Sequence, residues 1–168
     1  MSRPGRAPNM RLDFLYFCCL ILLTGVLFVT CQPVTEEASV VLTADTATIR
    51  ELLMRQQDDW NDGNIETFMG AYLNSDSLRF ASGGSYRFGW QPTLDRYHTE
   101  YPDRDAMGLL TFFDLHIDIL SENWAMAFGS WNLKRSGEYK DIGGLFTLIL
   151  LRTLDGWRIA YDHTSSAS

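Results

Sequence analysis

"GGLFTLILLRTLDGWRIAYDHTS", residues 143–165, is the stretch whose reading decides the fold. Its first half belongs to a long apolar run, Ile142 to Thr153, which reads as a strand. Asp155-Gly156 then makes a tight hairpin turn. Trp157 to Thr164 alternates and closes a sheet. The stretch ends in an acid, an imidazole and two hydroxyls: Asp162, His163, Thr164 and Ser165. These are either the rim of a reactive site or the polar end of a structural strand, and the choice separates an enzyme from a binding module.

Outward from that hairpin the pattern stays β. Trp124 to Lys134 reads as a long strand, preceded by a turn at Glu122-Asn123. Leu109 to Leu120 alternates, with Phe113, Leu115, Ile117 and Ile119 on one side and Phe112, Asp114, His116 and Asp118 on the other. The fully apolar side is the expected buried face. "DSLRFASGGSYRFGW", residues 76–90, is a shorter hairpin turning at Gly83-Gly84.

The helices come first. "TIRELLMRQQDDWNDGN", residues 48–64, opens with a capping-box pattern, Thr48 with Glu51. Ile49, Leu52, Leu53, Gln56 and Trp60 share a helical face. Gly63 stands where a helix stops, and Asn64 suits the cap of a second helix carrying Ile65, Phe68, Met69 and Tyr72. "QPTLDRYHTEYP", residues 91–102, is a third helix between two prolines. Three N-terminal helices followed by a meander imply an α+β fold, with the helices on one face of a curved antiparallel sheet.

Composition bounds the partners. The chain has 168 residues, 46% hydrophobic and 13% aromatic, with a net charge of -7. One domain of this size buries a sizeable core unaided. Beyond Cys31 the balance is more acidic still and contains no basic run, which excludes nucleic acid as an expected partner. All three cysteines, Cys18, Cys19 and Cys31, fall within the first 31 residues. The remainder therefore has no disulfide, thiol nucleophile or thiolate metal site.

An apolar run from Phe14 to Thr30 follows Arg11. Two readings stand: a bacterial lipoprotein signal that leaves Cys31 as a lipidated first residue, or an uncleaved anchor. Either predicts an exported protein tethered to the membrane of the cell envelope. The expected division is a signal or anchor over residues 1–31, a polar tether over 32–45, the domain over 46–165 and a tail over 166–168.

The words "WNDGN", "FMGAY", "SDSLRF", "TLDRYHTEYP", "MGLLTF" and "GGLFTLILLRTLDGWRIAYDHTS", in that order, resemble the SnoaL-like members of the nuclear transport factor 2-like superfamily. The resemblance spans roughly Thr46 to Ser165. It implies a cone-like fold with a cavity between the helices and the sheet, and it implies a homodimer. Relatives include ketosteroid isomerase, the polyketide cyclase SnoaL, scytalone dehydratase and the association domain of calcium/calmodulin-dependent kinase II. One fold thus carries catalysis, binding and assembly.

Ketosteroid isomerase chemistry needs a carboxylate base in that cavity, with a neutral acid or phenol to hold an oxyanion. Simple alternation from Trp157 and Ile159 turns Tyr161 and His163 inward and Asp162 outward. No inward acid then arises from the first or last strand of the meander. The expected ligand-contacting residues are Trp60, Trp90, Tyr97, Tyr161 and His163, around a small apolar molecule. His163 is the one candidate catalytic group, although a structural role ranks ahead of it. His98, His116 and His163 lie on separate elements, so no metal site or other cofactor is expected. The leading reading is a tethered ligand-binding or dimeric assembly module. A small isomerase, cyclase or lyase acting on an apolar carbonyl compound is the alternative.

Overall fold

The computed structural model describes residues 36–166, with side chains from residue 42. Helix α1 runs Glu36–Asn61. It starts well before Thr48, so the Thr48–Glu51 pair is not its cap. The Thr48 hydroxyl instead donates to the Ala44 carbonyl, one turn back, at 2.9 Å. No glycine or proline lies between Glu36 and Asn61, so nothing in the backbone halts the helix there. The early turns are also tied down. Buried Asp45 accepts from Arg152, whose guanidinium lies 4.4 Å from the Trp157 ring centroid. From Glu36 onward, the segment expected to be a polar tether is therefore helix; Gln32 to Thr35 lie outside the described residues.

Two helices and a hairpin follow. α2, Ile65–Met69, is capped by Asn64, whose side chain accepts from the Thr67 amide at 3.0 Å. Strands β1, Arg79–Ser82, and β2, Ser85–Phe88, are joined by Gly83 and Gly84 at φ 58° and 75°. Only glycine takes two such angles in succession cheaply. α3 is Trp90–Glu100, and α4 is a single turn, Arg104–Met107, capped by Asp103.

The meander is β3 Leu109–Ile119, β4 Trp124–Lys134, β5 Ile142–Thr153 and β6 Gly156–Thr164. The sheet order is β2-β1-β6-β5-β4-β3. All neighbours are antiparallel except β1 and β6, which pair parallel. The sheet is thus mixed at one junction rather than wholly antiparallel. Ile49 and Leu53 of α1 meet Leu150 and Ile159 of the sheet in the fully buried core. Each such side chain contributes ~1.5–3 kcal/mol through burial.

The free edge of β3 is satisfied by α1. Asn61 exchanges two hydrogen bonds with the Leu110 backbone, at 2.7 and 3.0 Å, and Gln57 accepts from the Phe112 amide at 2.7 Å. A row of side chains thus occupies backbone groups that would otherwise template a further strand.

Two irregularities change which side chains face inward. In β3, Phe113 pairs with Ser130 but His116 with Phe128, so Asp114 and Leu115 together oppose Gly129. Asp114 takes φ 52°. A β-carbon on Gly129 would stand 2.9 Å from Leu115 and 2.8 Å from Phe146, so glycine makes room for the bulge. Leu115, Ile117 and Ile119 pack on the core as alternation predicts. Phe113 does not: it is 45% exposed, and Phe112 turns inward in its place. In β6, Leu150 pairs with Ile159 but Ile149 with Tyr161, leaving Ala160 as the extra residue. Trp157 and Ile159 face the core, but beyond Ala160 the faces invert.

Among the described residues no helix is long and apolar enough to cross a membrane. Phe14 to Thr30 and Cys31 lie outside them.

Candidate functional site

The inversion at Ala160 builds the site. Its backbone cause is a change of partner within β6. The Ile159 amide donates to Ala71 at 2.9 Å, and the Leu73 amide donates to Ile159 at 2.8 Å. Past Ala160, β6 runs beside β1 instead. The exchange sets Tyr72 beside Ile159 and turns Asp162 inward, where it is 3% exposed.

Asp162 lines a cavity of about 360 Å³. Leu110, Phe112, Leu133, Phe146 and Leu148 of the sheet give it one apolar wall. Opposite them stand rings from the helices, Trp60 and Phe68 among them, which meet edge to face at 5.0 Å between centroids. Such a volume and lining suit a small organic molecule.

A hydrogen-bonded chain crosses the polar side. The Tyr72 hydroxyl donates to Asp162 Oδ2 at 2.7 Å, and the Thr164 hydroxyl donates to Oδ1 at 2.7 Å. The Tyr97 hydroxyl lies 3.4 Å from that of Tyr72. Burial pushes the Asp162 carboxyl up to about 6, against the pull of the two hydroxyl donors, Arg96 and His163. Burial also raises the Tyr72 phenol well above its ordinary value, with the Asp162 charge adding to it, and raises Tyr97 and Tyr101. All three phenols therefore remain proton donors across the physiological range. The carboxyl changes charge close to it, as a group that both accepts and returns a proton must.

Arg96 completes the polar side. Its side chain is 11% exposed, and its Nη2 pairs with Glu100 at 2.5 Å. The guanidinium carbon lies 4.8 Å from the Phe80 ring centroid and 5.5 Å from that of Tyr97.

Of the residues expected to meet a ligand, Trp60 and Tyr97 line the cavity. Trp90 does not: its indole N–H donates to the Met69 carbonyl at 2.9 Å and secures the start of α3. Tyr161 and His163 lie on the other face of the sheet, Tyr161 36% exposed and His163 exposed. The expectation that they point inward, with Asp162 outward, is corrected by the bulge at Ala160. Asp162, Tyr72, Arg96 and Glu100 were not expected to form the site. No residue pattern marks the slip, since Ala160 fits regular alternation as well as a bulge. Among the described residues no cluster of His, Cys, Asp and Glu is placed to hold a metal ion.

No protein-family model and no curated protein matches the chain. Solved structures do. An NTF-2-like protein of unknown function from Shewanella oneidensis MR-1 is 37% identical, over 71% of this chain and 98% of that one, with a TM-score of 0.67. An NTF2-like protein with a cystatin-like fold from Novosphingobium aromaticivorans is 15% identical, over 81% and 90%, at 0.64. A ketosteroid isomerase-like protein from Erwinia carotovora atroseptica SCRI1043 is 16% identical, over 73% and 95%, at 0.59. The latter two share the fold alone.

Proposed function

The chain belongs to the nuclear transport factor 2-like superfamily, and from that premise we propose that its cavity binds a small, mostly apolar carbonyl compound on which Asp162 moves a proton. One observation carries this reading: a cavity-lining carboxyl, held by Tyr72 and Thr164, that titrates near 6. Ionised Asp162 takes a proton from the carbon next to the carbonyl. The C–H electron pair forms a carbon–carbon double bond, and the carbonyl π pair moves to oxygen. Tyr97 donates a hydrogen bond to that oxygen. Returning the proton from Asp162 to a different carbon gives an isomer; loss of a neighbouring leaving group gives elimination. The test is proton–deuterium exchange at the α-carbon of small apolar ketones in D2O, followed by NMR. The full chain accelerates exchange, Asp162→Asn removes at least 100-fold of that acceleration, and Tyr97→Phe removes less. Equal exchange by wild type and Asp162→Asn would overturn the reading.

A second reading concerns the outer face of the sheet, where Phe113, Phe128, Leu145 and Tyr161 are all substantially exposed. We propose that a second copy of the chain covers this surface. Light scattering at about micromolar concentration gives a dimeric mass; a strictly monomeric one sinks the proposal. Membrane tethering through Cys31 or the apolar run before it remains the reading for residues 1–31. If wild type and Cys31→Ser sediment equally with the membrane fraction and both are uncleaved, the segment is a plain anchor and lipidation is wrong; cleavage of the wild type before Cys31 supports the lipoprotein.

A further inference from the structure

The remaining unexplained group in the cavity is a cation. Arg96 carries a full charge in a wall made largely of carbon, at 11% side-chain exposure. A guanidinium has five N–H donors in one plane. Its ion pair among the described residues is with Glu100, whose side chain is 43% exposed and sits one helical turn on. Its other close contacts are ring faces, Phe80 and Tyr97, which take charge but accept no conventional hydrogen bond. Both rings and Glu100 line the cavity. The rings hold the guanidinium in place, and the described residues offer its N–H groups no carboxylate besides Glu100.

Such a fork is matched by the oxygens of a carboxylate or a phosphate, and the singly charged carboxylate is the less costly of the two to desolvate in a largely apolar cavity. A planar carboxylate accepts two parallel N–H bonds from it, as a neutral carbonyl or an amine does not. Glu100 fills one donor from the exposed side and can turn to solvent. The apolar wall of Leu110, Phe112 and Phe146 then receives the remainder of the molecule. We infer that the cavity selects small carboxylic acids with an apolar body, the carboxylate docking on Arg96 and displacing Glu100. The inference rests on the reading of the cavity as a small-molecule site and names the class that enters it. The reacting carbonyl of that reading is then a second group on the same molecule, so the substrate is an oxo acid or a close relative.

The experiment holds the apolar body constant and changes the head group. Titrate the full chain by calorimetry with 4-phenylbutanoate, 4-phenylbutanamide and 4-phenylbutylamine. The expected result is at least ten-fold tighter binding of the acid than of the amide, with the amine weakest. Arg96→Gln brings the acid down to the amide's affinity. Arg96→Lys, which keeps the charge without the fork, recovers only part of the difference. Glu100→Gln removes the competing carboxylate and tightens the acid several-fold, which decides the matter even if the Arg96 variants fail to fold. Equal binding of acid and amide by the wild type overturns the inference, as does preference for the amine or no binding of any of the three. If selectivity for the acid holds while Asp162→Asn leaves α-carbon exchange untouched, the proton-transfer reading falls and the carboxylate site stands. If exchange depends on Asp162 but the acid is not preferred, the carboxylate site falls and proton transfer stands.

Discussion

β4 and β6 lie in one sheet, both flank β5, and both read as amphipathic strands, yet only one is regular. In β4 the pairing to β5 runs without a break from Trp124 to Leu133. Ala125, Ala127, Trp131 and Leu133 are buried, and Trp124 and Phe128 are exposed, strictly by parity. In β6 the same parity holds through Ile159 and then reverses, because Ala160 takes no place in the ladder. A side chain's face follows from its position number only while every residue of the strand pairs. The chemistry gathers past the break: Asp162 is buried because the ladder slipped by one.

Inserting a second alanine after Ala160 would break the comparison most severely. With Ile159 still bonded to Ala71 and Leu73 and the bulge kept at Ala160, the added residue takes the ladder place of Tyr161, which rotates Tyr161 and His163 into the cavity and Asp162 out of it. The expected cost is about 3 kcal/mol or more, read by urea unfolding, with loss of the carboxyl that titrates near 6. Deleting Ala160 instead removes the bulge and keeps Asp162 inward, so the cost should be clearly smaller. If deletion and insertion cost the same, the inversion is not what positions Asp162.

The next effect is a pH dependence. The folded Asp162 carboxyl is raised from 3.8 to about 6 by burial. The wild type therefore carries no penalty from this group below pH 3.8, where it is protonated folded and unfolded alike. Stability is lost as pH rises through about 6, because only the folded state resists ionisation. Asp162→Asn cannot ionise. The stability of this variant relative to wild type should rise by about 3 kcal/mol between pH 3.5 and pH 7. Thermal unfolding across that range measures it, and a flat difference would show that the carboxyl is not desolvated.

His163 supplies the smallest effect. It lies one residue from Asp162 in the chain but on the opposite, exposed face. His163→Ala should change the stability of the monomer by no more than about 0.5 kcal/mol. A drop of about 2 kcal/mol would restore it to the interior and contradict the inverted faces.

Much of the fold was legible because its signals are local. Gly83-Gly84 turns where such a pair can turn, and Asn64 caps α2 through its own side chain. The β5–β6 turn falls one residue earlier than expected, at Leu154-Asp155, because Gly156, at φ 98°, already pairs with Thr153 and opens β6. The length and order of the apolar runs were enough to indicate helices first and a meander after, as the structure has them. The early turns of α1 were not legible: their hold on the sheet runs from Asp45 to Arg152 and Trp157, more than a hundred residues away. Trp60 and Tyr97 of the cavity wall could be picked out as ring-bearing residues on helical faces. The acid could not. Asp162 faces inward because Ile159 bonds to Ala71 and Leu73, segments distant in sequence, and so leaves Ala160 without a partner. Local chemistry determines which element a residue joins. Which face it presents depends on the neighbouring strand's hydrogen bonds, and those exist only once the chain has folded.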